Sequence, residues 1–394
     1  MTLMNNKGKL LLASFTSPLN HNGVGMAVAR MEHEMRARGW DVTIATCEPD
    51  HASTPSPDNY LTVSINRIQS IEKSDGVHVT RLHEHLNLIK PDVIVVHSWN
   101  GWPFHVLVPY AIKNSIPVFV VGHGFRAQMM KWTWKPPFFG LARWVRSWFY
   151  IGKMIKMIPK MKGIVVLGKT PHFVRAFDHW LALKIGYRQV HTIPNAVKPP
   201  DAESLNFRKR YGLEGKLFFL CLASYSTTKD QLLLLKSFAE AAIPGSMIVF
   251  IGPEKNDYSK KLCKALESLA TDALILDGLQ RMEVEDAIKS CDVAILGSKF
   301  EMQPIFLLEA MSVGKPWICP KVGAVDELKG GIICHRSILG ISDAIKRMDD
   351  SNLRRSLGEA GRSQWADEFQ AEIVYHKWDC LLLDSLANSK SKDA

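Results

Sequence analysis

Two glutamates, Glu301 and Glu309, are eight positions apart and flank a predicted helix start. Glu301 is predicted in a loop at the carboxyl end of a buried strand, which is where open α/β sheets bind their ligands. The helix beginning near Pro304 would direct free backbone N–H groups and its positive dipole end at the same place, which suits a diphosphate. Glu301 would then face a sugar-sized group, and Glu309 would accept hydrogen bonds from a ribose diol. The alternative is a pair of solvent-facing acids at the start of an ordinary helix.

Three smaller signals accompany other predicted strand ends and helix starts. His123 follows a buried strand and precedes Gly124, so it is either a ligand contact or a structural histidine. Gly25 lies at the N-terminus of the first predicted helix, where a glycine permits close approach of a phosphate and is also typical of a plain turn. His97, at the end of another strand, is interpreted as structural.

The chain is basic, with a formal net charge of +10, and the charge is concentrated in one region. Between Asp92 and Asp178 there is no acidic residue, although 12 Lys and Arg residues lie there. Such a segment indicates a polyanionic partner, which is nucleic acid, anionic lipid or a phosphorylated substrate. No nucleic-acid-binding motif accompanies the charge, so a nucleic-acid partner is not predicted.

Tryptophans are interleaved with these cations in residues 126–162. This pattern is typical of an interfacial helix on an anionic membrane, and packing of the same helix on the sheet is the alternative. The apolar arc of such a helix would carry Leu141, Trp144, Val145, Trp148, Ile151 and Ile155. The residues predicted to contact the membrane are Lys131, Trp132, Trp134, Arg143, Trp144, Arg146 and Trp148.

Short apolar runs alternate with helical patterns along the whole chain, which indicates an α/β fold with parallel sheets. Strands are predicted at 10–13, 41–46, 92–97, 117–121 and 163–167, and in the second half at 217–223, 247–251, 273–276, 292–296 and 316–319. The proline-containing stretch 198–204 predicts a linker between the halves. We therefore expect an N-terminal domain of residues 1–197, a second domain of residues 198–370, and a C-terminal helix and tail, 371–394, that packs back toward the first domain.

Composition limits the class of protein further. Apolar residues make up 46% and charged residues 22% of the chain, which is typical of globular proteins and excludes disordered and collagen-like chains. No apolar run approaches the roughly 18–20 residues of a membrane span, and the run behind Lys9 is too short for a signal peptide. The seven cysteines show no paired spacing, so neither a disulfide framework nor a zinc site is expected. A reduced cytoplasmic protein fits these observations best.

The stretch around the two glutamates resembles the donor-site motif of glycosyltransferase family 4, the retaining enzymes of the GT-B fold also called glycosyl transferases group 1. In that family two glutamates separated by seven residues are followed by Ala-Met-x-x-Gly-x-Pro, and residues 301–316 have the same pattern. Weaker landmarks follow in the family's order at 22–25, 121–124, 193–197 and 323–327. The resemblance extends to about residue 370 and implies two Rossmann-like, doubly wound domains facing a central cleft.

The resemblance also implies roles for individual residues. Glu301 would contact the donor sugar, His123 would lie beside the reacting sugar, and Lys229 would neutralise the diphosphate as its charge grows in the transition state. These three are the candidate catalytic residues. No metal or other cofactor is implied, because the helix dipole and Lys229 would serve instead. The predicted donor-binding set is Gly23, Gly25, Ser224, Lys229, Glu301, Gln303, Pro304, Ile305 and Glu309.

Two departures from the family pattern concern the diphosphate and the sugar. The family has Arg five positions before the lysine, and Ser224 stands there in this chain. Another cation, Arg281 or Lys299, would have to supply the missing charge. The Gly-Phe pair that usually follows the first glutamate is replaced by Met302 and Gln303, which is expected to alter sugar recognition.

The sequence therefore predicts a retaining glycosyltransferase that uses a UDP- or GDP-linked sugar. The predicted acceptor is lipid-linked or a polysaccharide of the cell envelope, and the predicted location is the inner face of the cell membrane, where the protein would be peripherally associated. The departure at Ser224 leaves open a catalytically impaired scaffold of the same fold, and the architecture leaves open a nucleotide-sugar epimerase. A glycan phosphorylase is disfavoured, because the chain has no motif for a lysine-bound cofactor.

Overall fold

The computed structural model describes residues 6–18, 23–47, 60–63, 76–99, 101–123, 139–173, 175–201, 206–269 and 271–390. The chain forms two compact units, one made of Met1–Pro194 with Val374–Ala394 and one of Asn195–Ile373. The division falls three residues before the predicted end of the first domain. Each unit has its own sheet and its own buried apolar core.

The first unit is built on a seven-stranded sheet with the order β3-β2-β1-β4-β5-β6-β7, in which all the strand pairs are parallel. Its strands are β1 (Lys9–Ser14), β2 (Asp41–Cys47), β3 (Tyr60–Val63), β4 (Val93–His97), β5 (Val118–Gly122), β6 (Gly163–Val166) and β7 (Val190–Thr192). The buried runs of β1, β4 and β5 are leucine- and valine-rich, because both faces of a parallel sheet are covered. The sequence patterns missed β3 and β7, which have only four and three residues.

The helices of this unit connect the parallel strands. They are α1 (Gly23–Ala37), α2 (Gly76–Ile89), α3 (Val108–Lys113), α4 (Phe139–Met157) and α5 (Phe177–Lys184). A π-helical turn at Pro103–Leu107 leads into α3. The order of strands reverses between β1 and β4, so the carboxyl ends of these two strands form the topological switch point of the sheet.

The second unit has a six-stranded sheet in the order β10-β9-β8-β11-β12-β13, again with parallel pairs. Its strands are β8 (Leu217–Leu222), β9 (Ser246–Gly252), β10 (Ala273–Asp277), β11 (Val293–Ile295), β12 (Trp317–Pro320) and β13 (Gly331–Cys334). Its helices are α6 (Phe207–Arg210), α7 (Gln231–Ala241), α8 (Asp257–Glu267), α9 (Arg281–Ser290), α10 (Ile305–Ser312), α11 (Ile338–Arg347) and α12 (Ser351–Gln364). The switch point lies between β8 and β11.

β13 is the strand of this unit that the sequence patterns missed. It opens with Gly331, and glycine is depleted in strands. The structure explains the glycine, because a Cβ at this position would lie 2.0 Å from a ring atom of Trp317 on the neighbouring strand. The indole fills the space that a side chain would take.

The C-terminal helix, α13 (Ala371–Lys390), lies almost entirely in the first unit. Asp379 on this helix accepts hydrogen bonds from Lys7 Nζ at 2.6 Å and from Trp40 Nε1 at 2.8 Å. Across the described ranges, none of the helices is long and apolar enough to cross a membrane. All seven cysteines are free thiols.

Candidate active site

The predicted donor-site residues meet at the switch point of the second sheet. Lys229 lies in the connection from β8 to α7, and Glu301 lies in the connection from β11 to α10. Lys229 Nζ is 2.5 Å from Glu301 Oε1, and Ser298 Oγ donates to the same oxygen at 2.7 Å. The Ser298 residue is fully buried, and the side chain of Glu301 is 11% exposed. The structure therefore joins the two predicted catalytic residues of this unit as one ion pair.

The backbone around Glu301 is fixed by close packing against a second loop. Gly323 has φ +52°, and a Cβ there would lie 2.2 Å from the carbonyl oxygen of Glu301. Ala324 N donates to the carbonyl oxygen of Met302 at 2.7 Å. Gln303, predicted to bind the donor, is buried and accepts a hydrogen bond from Asn195 N at 2.6 Å. This hydrogen bond connects the loop that contains Glu301 to Asn195, the first residue of the same unit.

Glu309 lies inside α10 and is 2% exposed. Arg281, the first residue of α9, donates from Nη2 to Glu309 Oε1 at 2.9 Å and from Nε to Glu285 at 2.7 Å. The guanidinium of Arg281 thus gives the buried Glu309 a charged hydrogen-bond partner. Arg281, a candidate for the missing charge at the diphosphate, therefore pairs with two glutamates, one of which is the predicted ribose ligand.

The departure at Ser224 is accompanied by a cation that sequence reasoning missed. Ser224 itself is exposed. Asp230, which has φ +54°, forms ion pairs with Arg336 and, at 3.5 Å, with Lys299. Arg336 follows β13, a strand that the sequence patterns did not predict. The sequence therefore did not indicate that Arg336 lies next to Asp230, the neighbour of Lys229. Lys299 and Arg336 thus both form ion pairs with the residue that follows Lys229 in the chain.

The helix start predicted near Pro304 forms one residue later, because α10 begins at Ile305. Pro304 is the N-cap position with extended backbone angles, and no side chain caps the helix there. Proline fits this place, since the first amides of a helix have no intrahelical partner. The N-terminal turn of α10 therefore keeps backbone donors that an anion could use.

The second group of predicted residues lies in the first unit, at the ends of β4 and β5. His123 Nε2 is 3.0 Å from His97 Nδ1, and the two rings stack with centroids 5.2 Å apart. Burial lowers the pKa of His123 to about 4. Burial, and then the neighbouring His123, lower the pKa of His97 well below its usual value. The two imidazoles therefore form a hydrogen-bonded pair that is uncharged at neutral pH.

A buried carboxyl group, that of Asp178, packs next to Gly122, the last residue of β5. Asp178 accepts hydrogen bonds from Trp99 Nε1 at 2.7 Å and from His179 N at 3.0 Å. Its burial raises its pKa. A Cβ on Gly122 would lie 2.0 Å from Asp178 Oδ2, so the residue before His123 must be glycine for the carboxylate to pack there.

The glycines predicted near the donor phosphates open α1. Gly23 is the first residue of the helix and is exposed, and Gly25 is buried. Within the described residues, a Cβ on Gly23 would meet no atom within 4 Å, so their packing does not require glycine at this position. Residues 19–22, which include part of the family landmark, lie outside the described residues.

Part of the predicted membrane segment lies outside the described residues, including Lys131, Trp132 and Trp134, and so do the side chains of Arg143, Trp144 and Arg146 on α4. Trp148 is 49% exposed, and its neighbour Phe149 is 77% exposed. Ile151, on the predicted apolar arc, is 4% exposed and packs in the core with Met154 and Ile158, which agrees with the alternative of a helix packed on the sheet. As far as the side chains of α4 are described, its exposed apolar stripe consists of Trp148, Phe149 and Ile155.

Within the described residues there is no group of three or more His, Cys, Asp or Glu side chains arranged to hold a metal ion.

Two family models match the chain, one in each half. The description "Glycosyl transferases group 1" matches residues 203–364, and "Glycosyl transferase 4-like domain" matches residues 22–152. Among characterised proteins, the chain is 24% identical over 278 residues to N-acetyl-alpha-D-glucosaminyl L-malate synthase of Bacillus anthracis. That alignment covers 61% of this chain and 71% of the relative.

Solved structures show the same architecture over nearly the whole chain. Sucrose-phosphate synthase from Thermosynechococcus elongatus superposes with a TM-score of 0.77 at 15% identity, covering 97% of this chain and 100% of that one. The Anabaena protein HepE, in complex with UDP and glucose, superposes with a TM-score of 0.73 at 14% identity, covering 95% and 99%. At such low identity the likeness shows the fold.

Proposed function

The chain belongs to the glycosyl transferases of group 1, and on that premise we propose that it transfers a sugar from a nucleotide-sugar donor to a glycan or lipid-linked acceptor with retention of configuration. The family and the GT-B fold predicted from the glutamate motif are confirmed. The transferase class follows from the family, whereas the donor, the acceptor and the stereochemistry are the proposal.

The observation that carries the proposal is the Lys229–Glu301 ion pair at the switch point of the second sheet. A nucleotide sugar presents a diphosphate and a sugar side by side, so it needs a cation and a carboxylate at adjacent positions. Lys229 and Glu301 are 2.5 Å apart in the protein, so each would exchange the other for its own part of the donor. The amides at the start of α10 add donors without further positive charge.

Buried Glu309 suits the ribose of the same donor. A carboxylate accepts hydrogen bonds from both hydroxyls of a diol, and Arg281 forms an ion pair with this carboxylate. The solved HepE complex contains UDP and glucose, which supports a uridine nucleotide sugar as the first donor to test. A guanosine nucleotide remains the second.

The proposed chemistry is a front-face substitution at the anomeric carbon of the sugar. The acceptor hydroxyl oxygen forms a bond to this carbon on the face from which the diphosphate leaves, and the carbon–oxygen bond to the diphosphate breaks. The hydroxyl proton passes to the departing phosphate oxygen. Lys229 stabilises the negative charge that develops on the leaving group, which is the largest electrostatic demand of the reaction. We propose this route without a metal or other cofactor.

The exposed stripe of α4 supports an acceptor at a membrane surface. Trp148, Phe149 and Ile155 are exposed, and the same helix carries the exposed Lys156. Aromatic and aliphatic side chains next to cations suit the headgroup region of an anionic membrane. We propose that the protein docks there peripherally on the cytoplasmic side, and that its acceptor is a lipid-linked or envelope glycan.

The test is a panel of UDP- and GDP-sugars incubated with the purified protein, with and without anionic vesicles, in which the released UDP or GDP is measured. Release from one donor supports the proposal and identifies the sugar. Stimulation by vesicles supports the membrane-docked acceptor. A protein that binds none of the donors and releases no nucleoside diphosphate contradicts the proposed function.

Glu301→Ala provides the site-specific arm of this test. We expect turnover to fall at least about a hundredfold, equivalent to about 2.7 kcal/mol of activation free energy. Glu240→Ala, at an exposed position on α7, is the matched control and should leave turnover unchanged. Equal turnover of wild type and Glu301→Ala would exclude this carboxylate from the reaction.

A further inference from the structure

The carboxyl edge of the first sheet carries a row of buried polar side chains on three neighbouring strands. Ser14 of β1 is in register with Thr46 of β2 and with His97 of β4. In-register residues of neighbouring strands point to the same face of a sheet, so the three side chains lie side by side. Ser14 and Thr46 are 0% exposed, and His97 is 3% exposed. A fully buried polar row is costly unless its atoms are paired.

Two atoms of this row have no hydrogen-bond partner in the part of the chain that the structure describes, namely Thr46 Oγ1 and His97 Nε2. Ser14 differs, because its Oγ accepts a hydrogen bond from Thr16 N at 3.1 Å. His83 Nε2 and Ser342 Oγ are also unpaired, but they lie on α2 and α11, away from the strand ends. Thr46 and His97 thus present unsatisfied polar atoms at the edge where parallel sheets bind ligands.

His97 is held in this position from both sides. Its Nδ1 is bonded to His123 Nε2 at 3.0 Å, which leaves Nε2 as its open polar atom. The next residue, Ser98, has φ +102°, and the following Trp99 donates to the buried Asp178 at 2.7 Å. A non-glycine residue at such an angle is strained, and strain of this kind is concentrated at functional sites. The strained residue, Ser98, thus lies between His97, which pairs with His123, and Trp99, which pairs with Asp178.

The location is the topological switch point of the sheet, since β1 and β4 are the strands between which the order reverses. Open α/β sheets bind ligands in the crevice at this point. Thr46 lies on β2 and His97 lies on β4, the two strands that flank β1, so one ligand at the switch point can reach both.

We propose that His97 Nε2 and Thr46 Oγ1 bind hydroxyl groups of a carbohydrate at the carboxyl edge of the first sheet. The inference rests on the proposed glycosyl transfer, and it adds a binding role for two residues that the family motif does not include. A sugar hydroxyl both donates and accepts, so it pairs with Nε2 in either tautomer of His97 and with a threonine hydroxyl.

The electrostatics of the edge favour a hydroxyl over a phosphate. Burial lowers the pKa of both His97 and His123, so neither carries positive charge at neutral pH. A phosphate would find no cation in this row, whereas an uncharged hydroxyl loses little on leaving water if both its hydrogen bonds are replaced. The carbohydrate is either the transferred sugar or the acceptor glycan, and the experiment below separates these sources.

Two substitutions at His97 distinguish a ligand contact from support of His123. An asparagine amide reaches the position of Nδ1, so His97→Asn keeps the bond to His123 and removes the group at Nε2. A glutamine amide reaches the position of Nε2, so His97→Gln keeps the ligand contact and loses the bond to His123. We expect His97→Asn to raise the KM of the sugar substrate about tenfold to a hundredfold, and His97→Gln to raise it less than about threefold. The reverse order would overturn the proposal, because it would show that His97 only positions His123.

His83→Asn is the matched control. His83 also has a buried, unpaired Nε2, but its ring stacks on Tyr110 and it lies on α2, away from the strand ends. This variant should leave kcat and KM unchanged. Thermal melting of every variant shows whether a loss of affinity reflects a loss of folding.

The source of the carbohydrate follows from two assays on His97→Asn. If the KM for the nucleotide sugar rises both in donor hydrolysis without acceptor and in transfer, the ligand is the transferred sugar. If only the KM for the acceptor rises, the ligand is the acceptor glycan. Either result supports the proposal, and an unchanged KM for both substrates overturns it.

A measurement on the wild type keeps the test independent of variant folding. The imidazole ¹⁵N resonance of His97 Nε2 is followed while the protein is titrated with UDP, then with UDP-glucose, or with the donor and acceptor that the panel identifies. We expect a shift with a carbohydrate-containing substrate and none with UDP alone. A resonance that no substrate shifts, in a protein that turns over its donor, overturns this inference and leaves the proposed function standing. A protein that neither binds nor turns over any donor contradicts the proposed function, and this inference fails with it.

Discussion

The two switch points of this protein differ in charge. At the edge of the second sheet, Lys229 is paired with Glu301, Arg281 with Glu309, and Arg336 with Asp230. At the edge of the first sheet, the buried polar row consists of Ser14, Thr46 and His97, and the uncharged His97 pairs with the likewise uncharged His123. The same strand topology therefore supports two opposite electrostatic environments.

The comparison separates what topology determines from what side chains determine. Parallel strands bring their carboxyl ends together, and the reversal of strand order opens a crevice there in both sheets. The charges then decide which ligand is suited to each crevice. Alternating cations and carboxylates suit a diphosphate joined to a ribose and a sugar, whereas unpaired neutral atoms suit hydroxyl groups.

Removing Lys229 from the carboxyl edge of the second sheet should have the largest effect on activity. Lys229→Ala deprives the leaving diphosphate of its countercharge and leaves Glu301, which is 11% exposed, without its cation. We expect kcat to fall about a thousandfold, equivalent to about 4 kcal/mol. Lys236→Ala, at an exposed position on α7, should leave kcat unchanged in the same nucleotide-release assay. A loss below about tenfold would contradict the role of Lys229.

Filling the space behind the neutral edge should destabilise the first unit. In Gly122→Ala the new Cβ would lie 2.0 Å from Asp178 Oδ2, so the carboxylate and the strand end must move apart. We expect a loss of about 2–3 kcal/mol in the free energy of unfolding, measured by urea denaturation. Gly152→Ala is the control, because among the described residues no atom lies within 4 Å of its new Cβ on α4, and it should be stabilising by about 0.5–1 kcal/mol. Equal stability of Gly122→Ala and wild type would show that Asp178 does not need the glycine.

Acid should lower the stability that His123 contributes at the carboxyl edge of the first sheet. His123 has its pKa lowered from 6.5 to about 4 by burial, so between these values the unfolded chain binds a proton that the folded protein does not. Its contribution to stability is therefore fully present above pH 6.5 and is lost progressively as the pH falls toward about 4. The difference in unfolding free energy between wild type and His123→Gln isolates this residue from Asp178, and it should shift in favour of the variant over that range. A difference that is constant with pH would mean that His123 titrates normally.

The smallest effect is expected for the buried threonine. Thr46→Val keeps the shape of the side chain and removes an unpaired hydroxyl, so it should stabilise the unliganded protein by about 1 kcal/mol in urea denaturation. Thr43→Val on the same strand is the control, because Thr43 is only partly buried, and its effect should be below about 0.5 kcal/mol. A clear destabilisation by Thr46→Val would indicate that the Thr46 hydroxyl already has a hydrogen-bond partner in the unliganded protein.

Several parts of the fold and of the site follow from local sequence. The apolar runs of β8, β9 and β11 and the glutamate motif before α10 are contiguous, so their pattern predicts strands, a loop and a helix without any tertiary information. Glu301 and Glu309 could be placed at a strand end and within a helix for the same reason. The short strands β3, β7 and β13 gave no such pattern, because each contains threonine, histidine or glycine, whereas the equally short β11 lies within a continuous apolar run.

The partners of the site residues required the tertiary structure. Lys229 and Glu301 are 72 positions apart, and Asp230 and Arg336 are 106 apart, so no spacing rule relates them. His97 was interpreted as structural, yet the register of β1, β2 and β4 places it beside Thr46 with an unpaired nitrogen. The sequence by itself determined the fold class, the family and the location of the donor motif, because these depend on neighbours along the chain. Strand order and register decided which charges pair and which polar atoms stay open, because these depend on neighbours across the sheet.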